Sequence, residues 1–464
     1  MIIPLLFGLL LVLNGCSLTP DRSGGPLPLA ESFSQSGEQI VADRWWQEFG
    51  DPELDALIEH ALRGNFTLRG FWARLDQARA VARKAGADRL PTLTAEAGAA
   101  TVRRDGDGGH TVSDSYNLGL FAGYEVDLWG KIRAGRAAAV ADADASFHDL
   151  QAAAISLASQ VASSWLRLIE LRGRMALLDA QNSVNEKSLQ LLTERFRAGQ
   201  IGIADLLQQR QLIEATRGET AQVLALIKVT EHQLAILLGG LPGQTPSVAQ
   251  TRLADLPPLP ATGLPAGLVQ RRPDLLSSWS RLQAADRRLA VADVERLPNL
   301  GLVGRVETSA EHVRELFDNW LASLAANLVG PIIDGGRRRA EVDRTAAVVA
   351  QAWSDYRQVV LTALGEVEDA LVREEQQRRF LEILDRQTEL AGQALQRIRD
   401  RYRQGIHDYQ RVLTAEISLQ SLQRRQLTAH RELLDIRIDL YRALGGGWEL
   451  QRPADELTVG ALNR

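Results

Sequence analysis

Arg195-Phe196-Arg197-Ala198-Gly199-Gln200-Ile201-Gly202 decides the reading of this 464-residue chain, because about 206 positions later comes Arg401-Tyr402-Arg403-Gln404-Gly405-Ile406-His407-Asp408. In each copy a helix-forming basic run stops at a glycine, the residue that best accepts the left-handed conformation closing a helix. The same displacement aligns three further landmarks in order. Phe71-Trp72-Ala73-Arg74-Leu75 answers to Ser278-Trp279-Ser280-Arg281-Leu282, Arg89-Leu90-Pro91 to Arg296-Leu297-Pro298, and Leu238-Gly239-Gly240 to Leu444-Gly445-Gly446. Such spacing marks an internal duplication. Residues 45–240 form the first repeat and 267–446 the second, each too thin to close a core alone. Between them 241–266 carries Pro242, Pro246, Pro257, Pro258, Pro260 and Pro265 and reads as an extended crossover, and 447–464 is a C-terminal tail.

Upstream of Gly199 no proline interrupts residues 130–198, a helix of about 100 Å at 1.5 Å per residue. Val161, Leu168, Met175, Leu189 and Phe196 keep one heptad register, with Leu171, Leu178 and Leu192 on the other. The second repeat has Val367, Leu381, Leu395 and Tyr402, with Leu384, Ala391 and Ile398. Heptads ordinarily mean a two-stranded coiled coil. Here Asn182, Asn185, Glu374 and Gln377 also sit on the seam amid dense alanine, which suits helix neighbours on several sides, as in a ring. After the turns at Gly199 to Asp205 and 404–408, return helices Ala204 to Leu238 and Tyr409 to Leu444 are only about half as long, roughly 50 Å. The first helix of each repeat, Pro52 to Ala87 or Gly267 to Leu297, is expected to stack end to end on them. Asp51-Pro52-Glu53 is its start signal: an N-cap, a proline at the first helical position and an acidic first turn.

Pro91 and Pro298 end the helical pattern, and period-two alternation follows. Residues 92–127 and 299–333 read as β-hairpins. In the first, Tyr116, Leu118, Leu120, Ala122, Tyr124 and Val126 share one face, and Asn117, Gly119, Phe121, Gly123, Glu125 and Asp127 the other. Strands of about ten to thirteen residues with a water-tolerant second face suit a membrane barrel, and Tyr116, Trp129 and Trp320 fall near strand ends as interface aromatics. Four strands cannot close a barrel, and open edges do not persist in lipid, so the chain must assemble with copies of itself. Three copies would supply twelve strands. The expected fold is therefore mainly α with a β-barrel portion: long α-helical hairpins forming a tunnel, and four transmembrane strands per protomer.

At the N-terminus, Leu5 to Leu13 is an apolar run too short to span a bilayer but suited to a signal peptide, expected to be removed as residues 1–15. No Lys or Arg precedes it, as expected of a start a few residues short. Leu13-Asn14-Gly15-Cys16 resembles a bacterial lipobox, which implies lipidation of Cys16 and a lipidated arm over 16–44. Ser17 follows, where an aspartate would favour retention at the inner membrane. Cys16 is the only cysteine, so neither an intrachain disulfide nor a cysteine metal site can form. The net charge of -5 is interleaved, which argues against nucleic acid. The seven histidines show no paired ligand spacing, and Gly130-Lys131 lacks the rest of a P-loop. No catalytic site, metal or cofactor is expected.

Taken in order, Trp45-Trp46-Gln47-Glu48-Phe49-Gly50-Asp51-Pro52, the Arg-Leu-Pro before each hairpin, Asp127-Leu128-Trp129-Gly130, Arg271-Arg272-Pro273-Asp274-Leu275, Gly330-Pro331-Ile332-Ile333-Asp334-Gly335-Gly336 and the two tip turns resemble the outer membrane factors. These are the TolC and OprM class, more narrowly the NodT-type efflux lipoproteins. The resemblance covers nearly all of the chain after Cys16. It implies a homotrimer in the outer membrane, lipid-anchored and reaching into the periplasm, that passively exports small molecules. A periplasmic adaptor protein would link it to an inner-membrane pump of the resistance-nodulation-division type. Gly199, Gln200, Ile201, Gly202, Gly405 and Ile406 would be the adaptor-contacting tips. Relatives close the periplasmic end with residues, often aspartates, just after the second tip glycine; here those positions are Arg411 and Thr414. Asp205 stands at the position equivalent to Arg411, so these two are expected to pair around the aperture, with Tyr402 and His407 nearby. The alternatives are a type I protein-secretion duct and a lipid-anchored periplasmic coiled-coil scaffold.

Overall fold

The computed structural model describes residues 29–40, 43–106, 109–244, 250–445 and 450–452. Cys16 and the expected signal peptide lie outside them. Elements in chain order are β1 (Gln39–Ile40), α1 (Pro52–Gly64), α2 (Phe66–Ala87), β2 (Thr92–Gly106), β3 (Gly109–Val126), α3 (Lys131–Arg197) and α4 (Ile203–Leu237). The second repeat follows with β4 (Pro260–Ala261), α5 (Pro265–Arg271), α6 (Pro273–Val294), β5 (Asn299–Ala310), β6 (Leu321–Val329), α7 (Arg337–Arg403) and α8 (Tyr409–Leu444). Apart from the short β1 and β4, each repeat thus runs helix, helix, strand, strand, long helix, return helix, and both long helices have 67 residues.

The chain divides into two compact units. One holds Arg74–Phe147 and Ser277–Val359, with all four long strands. Its helical part is closely packed through small residues: Ala138, Ala139, Ala141, Ala143 and Ala145 of α3 are buried, as are Leu282, Ala285, Leu289 and Ala292 of α6 with Val342 and Val349 of α7. Ser277 donates to the Ala145 carbonyl at 3.1 Å. Alanine at these positions lets helix axes approach, which long side chains would prevent.

The other unit holds Leu29–Ala73, His148–Leu276 and the chain from Val360 onward. Its helical start is a cap put to two uses: one Asp51 oxygen accepts from the backbone of Glu53 (3.0 Å) and Leu54 (3.2 Å), and the other accepts from the indole of Trp165 at 2.7 Å. Trp45 stacks on Tyr441 with centroids 5.4 Å apart, and Phe49 meets the same ring edge-on.

The first helix of each repeat is not continuous, contrary to the sequence reading. In the first repeat it breaks at Asn65, whose side-chain oxygen caps α2 by accepting from Leu68 (3.0 Å) while its amide donates to the Leu237 carbonyl at the end of α4 (2.9 Å). Gly239 passes so close that an added Cβ would lie 2.3 Å from the Gly64 carbonyl oxygen. In the second repeat the break falls at Arg272, whose guanidinium donates to the Ala443 carbonyl at the end of α8 (3.0 Å), and Pro273 prevents a continuous backbone ladder. In both repeats the end of the return helix thus meets the break between the first two helices.

The Pro-rich crossover is held at fixed points. Arg437, fully buried, makes a bidentate pair with Glu374 (2.7 Å to each oxygen) and donates to the carbonyls of Pro257 and Pro258. Downstream, β4 pairs in parallel with β1, and Thr262 donates to the Gln35 carbonyl. The N-terminal arm is anchored from Phe33 onward: that ring is buried, and Ser34 and Gln35 bond Glu368 and Glu375.

Candidate functional site

The four long strands form one antiparallel sheet in the order β2-β3-β5-β6, leaving β2 and β6 at the edges. Register puts directly opposed residues on one face. Leu118 faces Ala97 and Thr308, Leu120 faces Ala95 and Val306, Ala122 faces Leu93 and Gly304, and Leu302 faces Tyr124 and Ala326. The apolar sides of all four strands thus merge into one surface. Nothing among the described residues covers it: Leu93 is 70%, Leu120 49% and Leu324 85% exposed. From Tyr116 to Val126 it runs eleven residues along β3. At about 3.4 Å per residue and a tilt near 40°, that is roughly 28 Å, close to the apolar band of an outer-membrane barrel.

Both hairpin strands run further than the alternation indicated, β2 to Gly106 and β3 from Gly109. Tyr116 consequently lies mid-strand, not at a strand end. It nonetheless marks a boundary, because beyond the Ala99–Tyr116 pair the same face turns polar, with Thr101 bonded to Asp114 (2.8 Å) and Asp105 to His110. At the helix-linked end Trp129 donates to the Pro298 carbonyl (2.7 Å), tying the two hairpin connections together, and Trp320 precedes β6 with its ring exposed. Asp127 caps α3 and Asp334 caps α7, each accepting from two backbone N–H groups, so the equivalent descents from strand to helix are built alike. The opposite face of the sheet carries Thr92, Thr94, Glu96, Asn117, Glu125, Arg305, Glu307, Ser323 and Asn327.

At the hairpin tips Gly199 and Gly405 have φ of 70° and 74°, and the next residue, Gln200 or Ile406, donates back to the carbonyl of Arg195 or Arg401 at 2.9 Å in both repeats. Gly202 and Asp408 begin the return helices; only Asp408 caps with its side chain, accepting from the Arg411 backbone at 3.1 Å. Ile201 packs on a core of Leu192, Leu206, Leu395, Tyr409, Val412 and Leu413, whereas Ile406 is exposed. Tyr402 lies against Tyr409 (centroids 5.7 Å apart) and under the Arg195 guanidinium, and His407 is half-buried in the turn. Arg411 and Thr414 are exposed on α8, and the Thr414 hydroxyl is turned onto its own helix at the Gln410 carbonyl. Within the chain, no ion pair among the described residues joins Asp205 to Arg411.

A buried polar layer behind the tips was not anticipated in full. The Tyr409 hydroxyl donates to Gln209 (2.5 Å), Gln209 donates to the Asn185 carbonyl (2.7 Å), and Gln420 donates to the Asn185 side chain (3.0 Å). Burial and the Glu416 carboxylate push the Tyr409 hydroxyl above its ordinary pKa, so it stays a protonated donor. Asn185 on the seam was the one signal in the sequence. Its partners on α8 come from the other repeat and have no local signature.

The sequence model of the family described as outer membrane efflux protein matches twice, over residues 57–240 and 264–446. The chain belongs to the outer membrane efflux protein family. It is 33% identical over 463 residues to the pyoverdine export outer membrane protein OpmQ of Pseudomonas aeruginosa, covering 95% of this chain and 96% of that one. It is 29% identical to the cation efflux system protein CusC of Escherichia coli O6:H1, covering 96% and 98%. Among solved structures it is similar to the outer-membrane channel OprN, with a TM-score of 0.85 at 29% identity over 93% of this chain and 100% of that one. This outer membrane efflux protein is thus the outer-membrane channel of a tripartite efflux system, partnered by an adaptor and an inner-membrane pump, and it is not an enzyme. It is an outer-membrane protein that spans the periplasm.

Proposed function

We propose that three copies of the chain close the sheet into a twelve-stranded barrel, the edge strand β2 of one copy pairing with β6 of the next, so that the polar face lines a water-filled duct continued by the helices. The observation that carries this is the uncovered apolar face: four strands share one hydrophobic surface about as tall as a bilayer core, flanked by unpaired edges that lipid does not tolerate. Cys16 supplies a lipid anchor for each protomer. The tips at Gly199 to Gly202 and Gly405 to Ile406 meet the adaptor. Asp205 and Arg411 pair between neighbouring protomers around the periplasmic aperture, beside Tyr402, His407 and Thr414.

The cargo is small molecules handed on by the pump. Similar relatives are named for pyoverdine export and for cation efflux, so the chemistry of the cargo follows the pump more than the duct. Deleting the gene and measuring susceptibility to drugs and metal ions beside protein secretion tests the assignment. Sensitisation with secretion intact supports it; lost secretion with unchanged susceptibility overturns it in favour of a protein duct. Replacing Cys16 by serine and finding the lipid label unchanged would refute the anchor.

A further inference from the structure

Within the eleven-residue band the polar face of the sheet carries four charges: Glu96 on β2, Glu125 on β3, and Arg305 and Glu307 on β5. Glu125 is paired with Lys131 at 3.0 Å. Arg305 is therefore the sole cation of this band, and its surroundings hold it in place. It stands directly across from Phe121 in the ladder, its guanidinium lies 5.0 Å from that ring's centroid, and it pairs with Glu307 at 3.7 Å. The ring itself is laid down over Gly119, where an added Cβ would meet it at 2.9 Å, so only glycine lets Phe121 fold over the sheet in this way. The arginine remains 47% and the glutamate 35% exposed, and Phe121 and Glu307 border a cavity of about 390 Å³ lined also by Asn117, Ser309 and Trp320. Solutes on this face can reach both charges.

On the reading that this face lines the duct, we propose that the Phe121–Arg305–Glu307 cluster sets the ion selectivity of the barrel segment. With Arg305 and Glu307 balancing each other and Glu125 balanced by Lys131, Glu96 leaves one net negative charge per protomer. Along a water-filled lining of low net charge, gain or loss of one charge per subunit is repeated in every copy and shifts the local concentration of small ions. The cation–π contact keeps the guanidinium beside the wall, where it offsets Glu307 without blocking passage.

The test is the reversal potential of full-length trimers in planar bilayers under a potassium chloride gradient. Arg305→Gln releases Glu307 and raises the potassium-to-chloride permeability ratio. Glu307→Gln releases Arg305 and lowers it. The double variant, which removes a balanced pair, returns the ratio to the wild-type value, a recovery that general damage to the barrel would not produce. Arg305→Lys keeps the ratio. Labelling of Arg305→Cys, but not Leu302→Cys, by a water-soluble charged thiol reagent reports separately on the duct reading. If Arg305→Cys is labelled and the ratio stays fixed in both single variants, the inference is wrong and the duct stands. If Arg305→Cys is inaccessible, both fall.

Discussion

Replacing Arg437 by methionine keeps the packing of its stem and removes its charge, and the cost follows from what the guanidinium touches. It holds both oxygens of Glu374 at 2.7 Å and the carbonyl of Pro258 at 2.6 Å, with Pro257 beside it, in a site where Arg437 is 0% and Glu374 2% exposed. Breaking one half of such a pair costs about 3–5 kcal/mol, because the other charge is left buried. Arg378 also reaches Glu374 at 2.7 Å from a half-exposed position, which places the ionic part near the lower end, at about 3 kcal/mol. Two orphaned linker carbonyls add about 1 kcal/mol or somewhat more. The expected loss for Arg437→Met is about 4 kcal/mol, read as a lowered denaturant midpoint by far-ultraviolet circular dichroism in detergent. Limited proteolysis should find the 250–264 segment cut sooner. Adding Glu374→Met should recover about 2 kcal/mol or more, since the stranded carboxylate is gone. A single variant costing under about 1 kcal/mol, or a double variant as unstable as the single, would refute the reasoning.

Leu120→Arg puts a charge on the face assigned to lipid and should cost about 2–4 kcal/mol near the bilayer centre, depleting trimers from the outer-membrane fraction, while Asn117→Arg on the other face leaves their yield unchanged. Asn65→Ala removes both the α2 cap and the bond to Leu237 and should cost about 1–2 kcal/mol in the same unfolding assay; an unchanged midpoint would show that the helix junction does not depend on them. Burial pushes the Asp435 carboxyl up to about 6 from 3.8, against the pull of Arg431. The folded state then holds a proton that the unfolded state has released. This contribution is complete below about pH 4 and is lost as pH rises through about 6. Thermal unfolding of Asp435→Asn should therefore depend less on pH across that window than the wild type, and parallel profiles would sink the assignment.

The repeat could be read from residues because its signals are local: a glycine must stand where a helix closes with positive φ, and after Gly199 and Gly405 the next residue makes the same backbone bond to the arginine five residues before it. Strand faces were equally legible, since alternation in one strand dictates which residues oppose which in the next. Boundaries were not. Asn65 looks like any polar residue inside a helix, and it becomes a break only because the end of α4 arrives at its amide from 172 positions away. Glu374 stood out as a charge on an apolar seam, but nothing nearby named Arg437 or the proline carbonyls as its partners. The aperture residues are the least legible part. Asp205 and Arg411 were matched by the duplication alone, and a contact between protomers is written in no single chain's periodicity.

If copies of the chain close one barrel, β2 of one copy lies beside β6 of the next. Cys16 aside, the sequence has no cysteine, which makes edge cross-linking direct. Ala97→Cys on β2 is combined in turn with Ala322→Cys, Leu324→Cys and Ala326→Cys on β6, positions on the same apolar face, and membranes are treated with a short bifunctional thiol reagent. The account predicts covalent dimers and trimers on denaturing gels, with three as the limit and none from either single variant. Monomers in all three combinations, or a ladder running past three, would contradict it.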